Sequence, residues 1–335
     1  MSEAAVDRVT KSPPILFEKT QALIGRIQQA LDGPLITYWN SSSGSICSSD
    51  VVALYAILRR LGPQSRLNLL VRSSGGYGNA SLQMVHLLRE FASDLTVLAP
   101  LDCESAATML ALGANRIKMG PLSHLSAVDT SLSHDLSPLS RDNNYVKVGH
   151  DEVERLMRLW RDQIGADKPF AYESIFPYVH PLVIGAVDRA SALSERLCIE
   201  ILSYHIDDTE RAQKIARTLN ADYPSHSYPI TIREAQKIGL EAEPLSDDLN
   251  GSLLELNEIY SEMGQKATTD FNENRSHDSS ILNIIEAEGQ LLFFQNDNDW
   301  HYRAEERRWV TLNNNSNWRR AEIIAGQLEV SIFHN

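Results

Sequence analysis

Cysteine is nearly missing from this chain of 335 residues. The three present, Cys47, Cys103 and Cys198, are odd in number and contain no C-x-x-C pair. That argues against a disulfide framework and a zinc knuckle and points to a reducing, cytoplasmic setting. Positive charge is in deficit: 31 Lys and Arg stand against 44 Asp and Glu, a formal net charge of −13. A nucleic-acid partner or an anionic membrane surface needs the opposite balance. No apolar run approaches the ~18 residues of a spanning helix, so no membrane insertion is expected. The N-terminal "MSEAAVDRVTKSPPILFEKTQ" has no apolar core of signal-peptide length. There is no G-K-[ST] phosphate loop, and Ser81 takes the last place of an otherwise suggestive G-x-G-x-x-G. No His pairs with Cys or carboxylates at ligand spacing. Neither a cofactor nor a metal is therefore expected.

What is present is a core, with 43% apolar residues, and a rhythm. Apolar positions at helical spacing over residues 14–31 precede a strand, "PLITYWN" (34–40), and a helix over 50–62 that stops at Gly62-Pro63. A strand at 67–72, a glycine turn and a helix at 80–91 follow. A third cycle has a strand at 95–99, a turn, a helix from Ser105 to about Gly113 and the strand "RIKM" (116–119). Strands alternating with helices predict an α/β fold of βαβ units around a mainly parallel sheet. Residues 130–144 read as a polar loop, followed by a short extended "YVKVG" and a helix from Asp151. Residues 181–220 read as helical throughout, and a further helix ends at Gly239. The expected organisation is a main domain over 1–262, a polar linker over 263–280 and a small β-rich extension over 281–335.

In open α/β sheets ligands gather at the carboxyl ends of strands, and two turns there are unusual. Ser73-Ser74-Gly75-Gly76-Tyr77-Gly78 exposes backbone N–H groups. Asp102-Cys103-Glu104-Ser105-Ala106-Ala107 puts a Ser between a strand and a run of small residues. Ser105 is either a helix cap or a nucleophile beside a helix N-terminus that favours a developing anion.

"SSGG" one cycle before "PLDCESAATMLALGANRIKMGPLSHLSAVD" resembles the Clp-class serine proteases of the crotonase-like superfamily. It resembles the signal peptide peptidase A type most, and within it the serine dehydrogenase proteinase family. Those proteins carry a T-P-G-G turn, an A-M-S-A-G-T-like motif, A-A-D-E-I-x-M and G-P-x-D-P. "HPLVIGAVDRA" (180–190), "YPSH" (223–226) and "ITIREAQKIGL" extend the match, which runs from about Leu35 to Leu249. Ser74 replaces the Pro of the first turn, Glu104 the Met before the nucleophile, and Ala107 a Gly; G-P-x-D-P reads Ser126-Ala127-Val128-Asp129-Thr130.

The resemblance implies a ClpP/crotonase-like fold with a helical C-terminal part, homo-oligomers, and hydrolysis of a peptide or protein substrate through an acyl-enzyme. Ser105 would be the nucleophile, and the N–H groups of Gly76 and Ala106 the oxyanion hole, with Gly75 beside them. The substrate chain would add as a strand after Gly76. The His of the Clp protease itself would fall near Val128. The peptidase A type instead uses a Ser-Lys dyad, which implies Lys147 as base if it is buried; otherwise Lys147 is a solvated loop residue. His124, just after the nucleophile helix, and His226, in the "YPSH" turn, are accessory candidates. Asp129 takes the matching turn position. A crotonase-type enzyme acting on an acyl-coenzyme A and a non-catalytic scaffold are the alternatives.

Overall fold

The computed structural model describes residues 10–129, 131–132, 134–140, 145–164 and 175–334. The chain opens with α1 (Phe17–Gln29), β1 (Leu35–Asn40), α2 (Ser48–Leu61), β2 (Gln64–Arg72), α3 (Gly78–Phe91) and β3 (Ala92–Ala99). The short β4 (Asp102–Cys103), α4 (Ala106–Leu112), β5 (Arg116–Met119) and β6 (His124–Leu125) follow. After β7 (Ser131–Leu132) and β8 (Val148–Gly149) come α5 (His150–Ile164), α6 (Pro181–Leu202), α7 (Thr209–Arg217), α8 (Ile232–Ile238), β9 (Ala242–Pro244) and α9 (Asp247–Met263). The C-terminal part is β10 (Thr268–Asn272), β11 (Arg275–Ala287), β12 (Gln290–Arg303), β13 (Arg308–Asn314), β14 (Asn317–Ile324) and β15 (Gln327–Ile332).

The expected parallel sheet is β1-β2-β3-β5-β9 in that spatial order. Every residue of β1 is buried, as it must be when helices cover both faces of a sheet. Alternation along the strand divides the core. Ile36 and Tyr38 join residues of α2, α3 and α4 on one face; Leu35 and Trp39 join α1 and α9 on the other. Apolar positions three and four apart in α1, Leu23, Ile24 and Ile27, are what bury that helix.

Three sequence expectations are revised. The polar stretch 264–280 is not an open linker: β10 and the first half of β11 form a hairpin there, with Thr268 opposite Asp278 and Thr269 opposite His277. Thr268 Oγ1 donates to Asp278 Oδ1 at 2.5 Å, and Thr269 is buried; β-branched polar residues supply strand pairing without an apolar signature. The helix over 181–220 breaks at Ser203–Asp208, where Asp208 Oδ1 accepts from the N–H groups of Glu210 and Arg211 and starts α7 afresh. The aromatic tail does form antiparallel strands, but it also extends the parallel sheet, because β11 pairs antiparallel with β1 (Thr37 opposite Glu286). Parts of the loop read over 130–144, and residues 1–9, lie outside the described residues. Among the described residues no helix is long and apolar enough to cross a membrane.

The junction of tail and parallel sheet buries a carboxyl. Glu286 on β11 is fully buried and accepts from Thr20 Oγ1 (2.6 Å), Gln21 Nε2 (2.7 Å) and the Tyr260 hydroxyl (2.7 Å), tying α1 and α9 to the sheet. Burial outweighs these three donors and pushes the Glu286 carboxyl up to about 7. The folded state therefore holds a proton that the unfolded chain releases near 4.5. Stability falls as pH rises from that value through about 7, by about 3 kcal/mol in all. Glu286→Gln is expected to remove this slope: its thermal midpoint relative to wild type rises between pH 5 and pH 8. Parallel melting curves for the two proteins across that range would rule the idea out.

Candidate active site

Ser105 does not act as a cap. It precedes α4 with φ 53° and ψ −119°, a left-handed conformation rare outside glycine, and its side chain makes no capping bond. Strain of this kind costs roughly 1–3 kcal/mol and persists only where the surroundings impose it. A set of hydrogen bonds does so. The Ser105 N–H donates to Ser126 Oγ at 2.7 Å. Ser126 N–H in turn donates to Thr108 Oγ1 (3.0 Å), whose hydroxyl donates to the Cys103 carbonyl (2.8 Å). Ser73 bridges to Cys103 in parallel fashion, with Ser73 N–H on the Asp102 carbonyl and Glu104 N–H on the Ser73 carbonyl, both at 3.0 Å.

The glycine turn presses directly on this elbow. Gly75 has φ +103°, and a Cβ there would stand 2.7 Å from Ser105 Cβ and 2.8 Å from the Glu104 carbonyl oxygen. Gly76 has φ +149°, and its Cβ would meet the Ile46 carbonyl oxygen at 2.4 Å. Ile46 N–H donates to the Gly75 carbonyl (2.8 Å) and Tyr77 N–H to the Ile46 carbonyl (2.9 Å). Ile46 thus occupies one side of the segment expected to receive an extended substrate. Among the described residues, neither the Gly76 N–H nor the Ala106 N–H has a hydrogen-bond acceptor. They lie on the two turns that converge here.

Ser105, Gly76, Ala106, Lys147, Asp129 and His226 line one cavity of about 480 Å³. All the principal sequence candidates except His124 and Gly75 are there, although Asp129 and His226 are 97 positions apart along the chain. His226 Nδ1 bonds Asp129 Oδ1 at 2.7 Å, and Asp129 is 8% exposed. That hydrogen bond holds the His226 imidazole above the usual histidine range; the charges of Asp129 and Glu104 add to it, and partial burial opposes it. Of the two readings left open for Lys147, the side chain's position matches the solvated one. The residue lies just before the short β8 with its side chain exposed; among the described residues β8 pairs with β7 alone.

His124 belongs to Glu104: its Nε2 stands 2.9 Å from Glu104 Oε1. The carboxylate next to Ser105 is thereby engaged by an imidazole. Burial pushes the thiol of Cys103, two residues before Ser105, well up and leaves it inert as a nucleophile. Ser126 and Ile46 are positioning residues that sequence reasoning missed. Ser126 could have been flagged by its place at the start of the G-P-x-D-P-like element; Ile46, in a polar turn, carries no signal. Among the described residues no cluster of three His, Cys, Asp or Glu is placed to hold a metal ion.

No family model matches the chain. Two uncharacterized proteins of Methanocaldococcus jannaschii are similar to it. One is 25% identical over 214 residues, covering 63% of this chain and 65% of the relative. The other is 23% identical over 209 residues, covering 62% of each. The chain thus spans slightly less than two thirds of the length of these curated relatives. Similar solved structures include a mutant of the 1510-N membrane-bound stomatin-specific protease, with 15% identity and a TM-score of 0.39 over 70% of this chain and 88% of that one. Another mutant of that protease, in complex with a substrate peptide, has 16% identity and a TM-score of 0.38 over 70% and 83%. A ClpP1 mutant from Listeria monocytogenes has 13% identity and a TM-score of 0.35 over 69% and 99%.

The contact of the two turns can be tested directly. Gly75→Ala places a methyl against Ser105 and is expected to destabilise the fold by about 1–3 kcal/mol and to disturb the elbow. Equilibrium denaturation should show a loss of that size. A variant as stable as wild type would mean that the turns are not pressed together.

Proposed function

We propose that this protein is a serine hydrolase that cleaves peptide bonds through an acyl-enzyme on Ser105. The observation that carries the reading is the strained Ser105 elbow in one cavity with a carboxylate-oriented imidazole. A capping serine needs neither the strain nor the cavity. The site supports one division of labour. Asp129 accepts from His226 Nδ1–H, which fixes the tautomer and leaves Nε2 as the free acceptor. Nε2 takes the Ser105 hydroxyl proton as Oγ attacks the substrate carbonyl carbon. The oxygen of that carbonyl becomes an anion, held by the N–H groups of Gly76 and Ala106, which are preorganised by the two turns. The imidazolium gives its proton to the departing amine nitrogen, and water then hydrolyses the acyl-Ser105 ester by the same route.

This reading moves the base from Lys147 to His226. Lys147 remains on the cavity wall, where its ammonium suits contact with substrate rather than proton abstraction from Ser105. The Ser105 hydroxyl makes no hydrogen bond to either residue among the described residues; catalytic bonds of free enzymes often tighten only when substrate is bound. The scaffold alternative would have Glu104 facing the Ser105 hydroxyl, whereas Glu104 pairs with His124. A crotonase-type acyl-coenzyme A enzyme would need no strained serine at this position.

A fluorophosphonate probe is expected to label Ser105. Ser105→Ala abolishes labelling and peptidase activity; His226→Gln lowers the rate about 10²–10⁴-fold; Lys147→Gln leaves it within a few-fold. Folded wild-type protein that resists the probe would sink the nucleophile assignment, and the reverse ranking of the two base variants would return the role to Lys147. The base must be unprotonated, and its pairing with Asp129 holds it above 6.5. The acid limb of kcat/KM should therefore fall above that value and move down in Asp129→Asn. An unmoved limb would exclude His226 as the titrating group.

A further inference from the structure

A second cavity, of about 510 Å³, lies between α2 and the C-terminal strands. Its chemistry is the reverse of the chain's net charge. Arg59, Arg60 and Arg320 line it against a single carboxylate, Glu322. Only Arg60 is paired, to Glu322 at 3.4 Å. Among the described residues Arg59 and Arg320 have no anionic partner: Arg59 stacks over Tyr55 at 5.8 Å and Arg320 over Phe333 at 5.1 Å. Both guanidiniums thus rest on aromatic rings at the cavity.

Two residues that line this cavity carry buried polar atoms without a hydrogen-bond partner among the described residues. Gln290 is 4% exposed and lines the cavity, yet its side-chain oxygen has no hydrogen-bond partner. Arg320 Nε is likewise buried and unpartnered. A buried polar atom without a partner is costly, and these two accompany two guanidiniums that have no anionic partner among the described residues. The amide of Gln290 presents a donor or an acceptor according to its flip. Planar guanidinium forks match the oxygens of phosphate and carboxylate groups.

We propose that this cavity binds a small, multiply charged anion, a phosphate ester or a polycarboxylate, between Arg59, Arg320 and Gln290. The site is separate from the Ser105 cavity and does not depend on the proposed peptidase reading. α2, which supplies Arg59 and Arg60, begins at Ser48, two residues after the Ile46 that holds the Gly76 turn.

The test is isothermal titration of the full chain at constant ionic strength, with inorganic pyrophosphate in one arm and citrate in the other. One-to-one saturable binding is expected in at least one arm, and the tighter arm identifies phosphate or carboxylate as the anion. Binding should weaken tenfold or more in Arg59→Gln and in Arg320→Gln. It should stay unchanged in Arg26→Gln, an exposed arginine of α1 paired with Glu255. Arg59 is solvent-exposed, so Arg59→Gln decides the matter should Arg320→Gln lower the thermal midpoint. Neither anion binding at millimolar concentration, or Arg59→Gln binding as wild type does, overturns the proposal.

Discussion

The candidate site depends on one steric constraint: the glycine turn after β2 and the serine turn after β3 are in van der Waals contact. Gly75 has no room for a Cβ because Ser105 Cβ stands where one would contact it, 2.7 Å away. Parallel strands at neighbouring positions deliver both turns to the same end of the sheet, so their proximity follows from the register of β2 and β3. The bridge from Ser73 to Cys103 then continues that pairing past the sheet's edge. Once the turns touch, the left-handed φ of Ser105 is over-determined by Gly75 on one side and by Ser126 on the other. The strain is thus paid for by packing.

The outer side of the same turn is held by a different layer. Ile46 pairs with Gly76, and the turn carrying Ile46 is anchored through Asp50. That buried carboxyl accepts from the Tyr38 hydroxyl (2.5 Å), the Cys47 N–H (2.9 Å) and the Asn283 amide (3.0 Å). Asn283 also donates to the Ser45 carbonyl at 2.9 Å. Asn283 belongs to β11, so the C-terminal strands support the glycine turn from behind although they contribute no residue to the cavity. Two buried carboxyls, Asp50 and Glu286, sit at this seam between the parallel sheet and its antiparallel continuation. Burial pushes both up, Asp50 against four hydrogen-bond contributions that favour its charged form.

How much of this was legible varied with the kind of signal. The βα cycles were readable because their periodicity changes from two to about 3.6 at glycines and prolines, and "RIKM" matches β5 at both ends. The Gly75-Gly76 and Ser105 turns were readable as strand-end turns. The hairpin at 268–280 was not, because polar threonines, serines and aspartates pair there without an apolar alternation. Burial of Lys147 could not be read from neighbouring valines: β8 is two residues long and pairs with another two-residue strand, so alternation there does not define a covered face. The His226–Asp129 pair bridges 97 positions, a separation that no local pattern encodes.

In the proposed mechanism the His226–Asp129 pair acts beside an acidic neighbour of Ser105, Glu104. A carboxylate one residue from a nucleophile raises the cost of forming an alkoxide, and it also raises the basicity of any nearby imidazole. Glu104 is drawn to His124, which moderates the first effect, while its charge still adds to the raised basicity of His226. A lysine base in this place would gain nothing useful from such a neighbour, since negative charge only stabilises its protonated form. An imidazole starts near neutrality, so the same field makes it a stronger base. In the proposed mechanism an acidic residue before Ser105 and a histidine base are therefore two sides of one electrostatic arrangement.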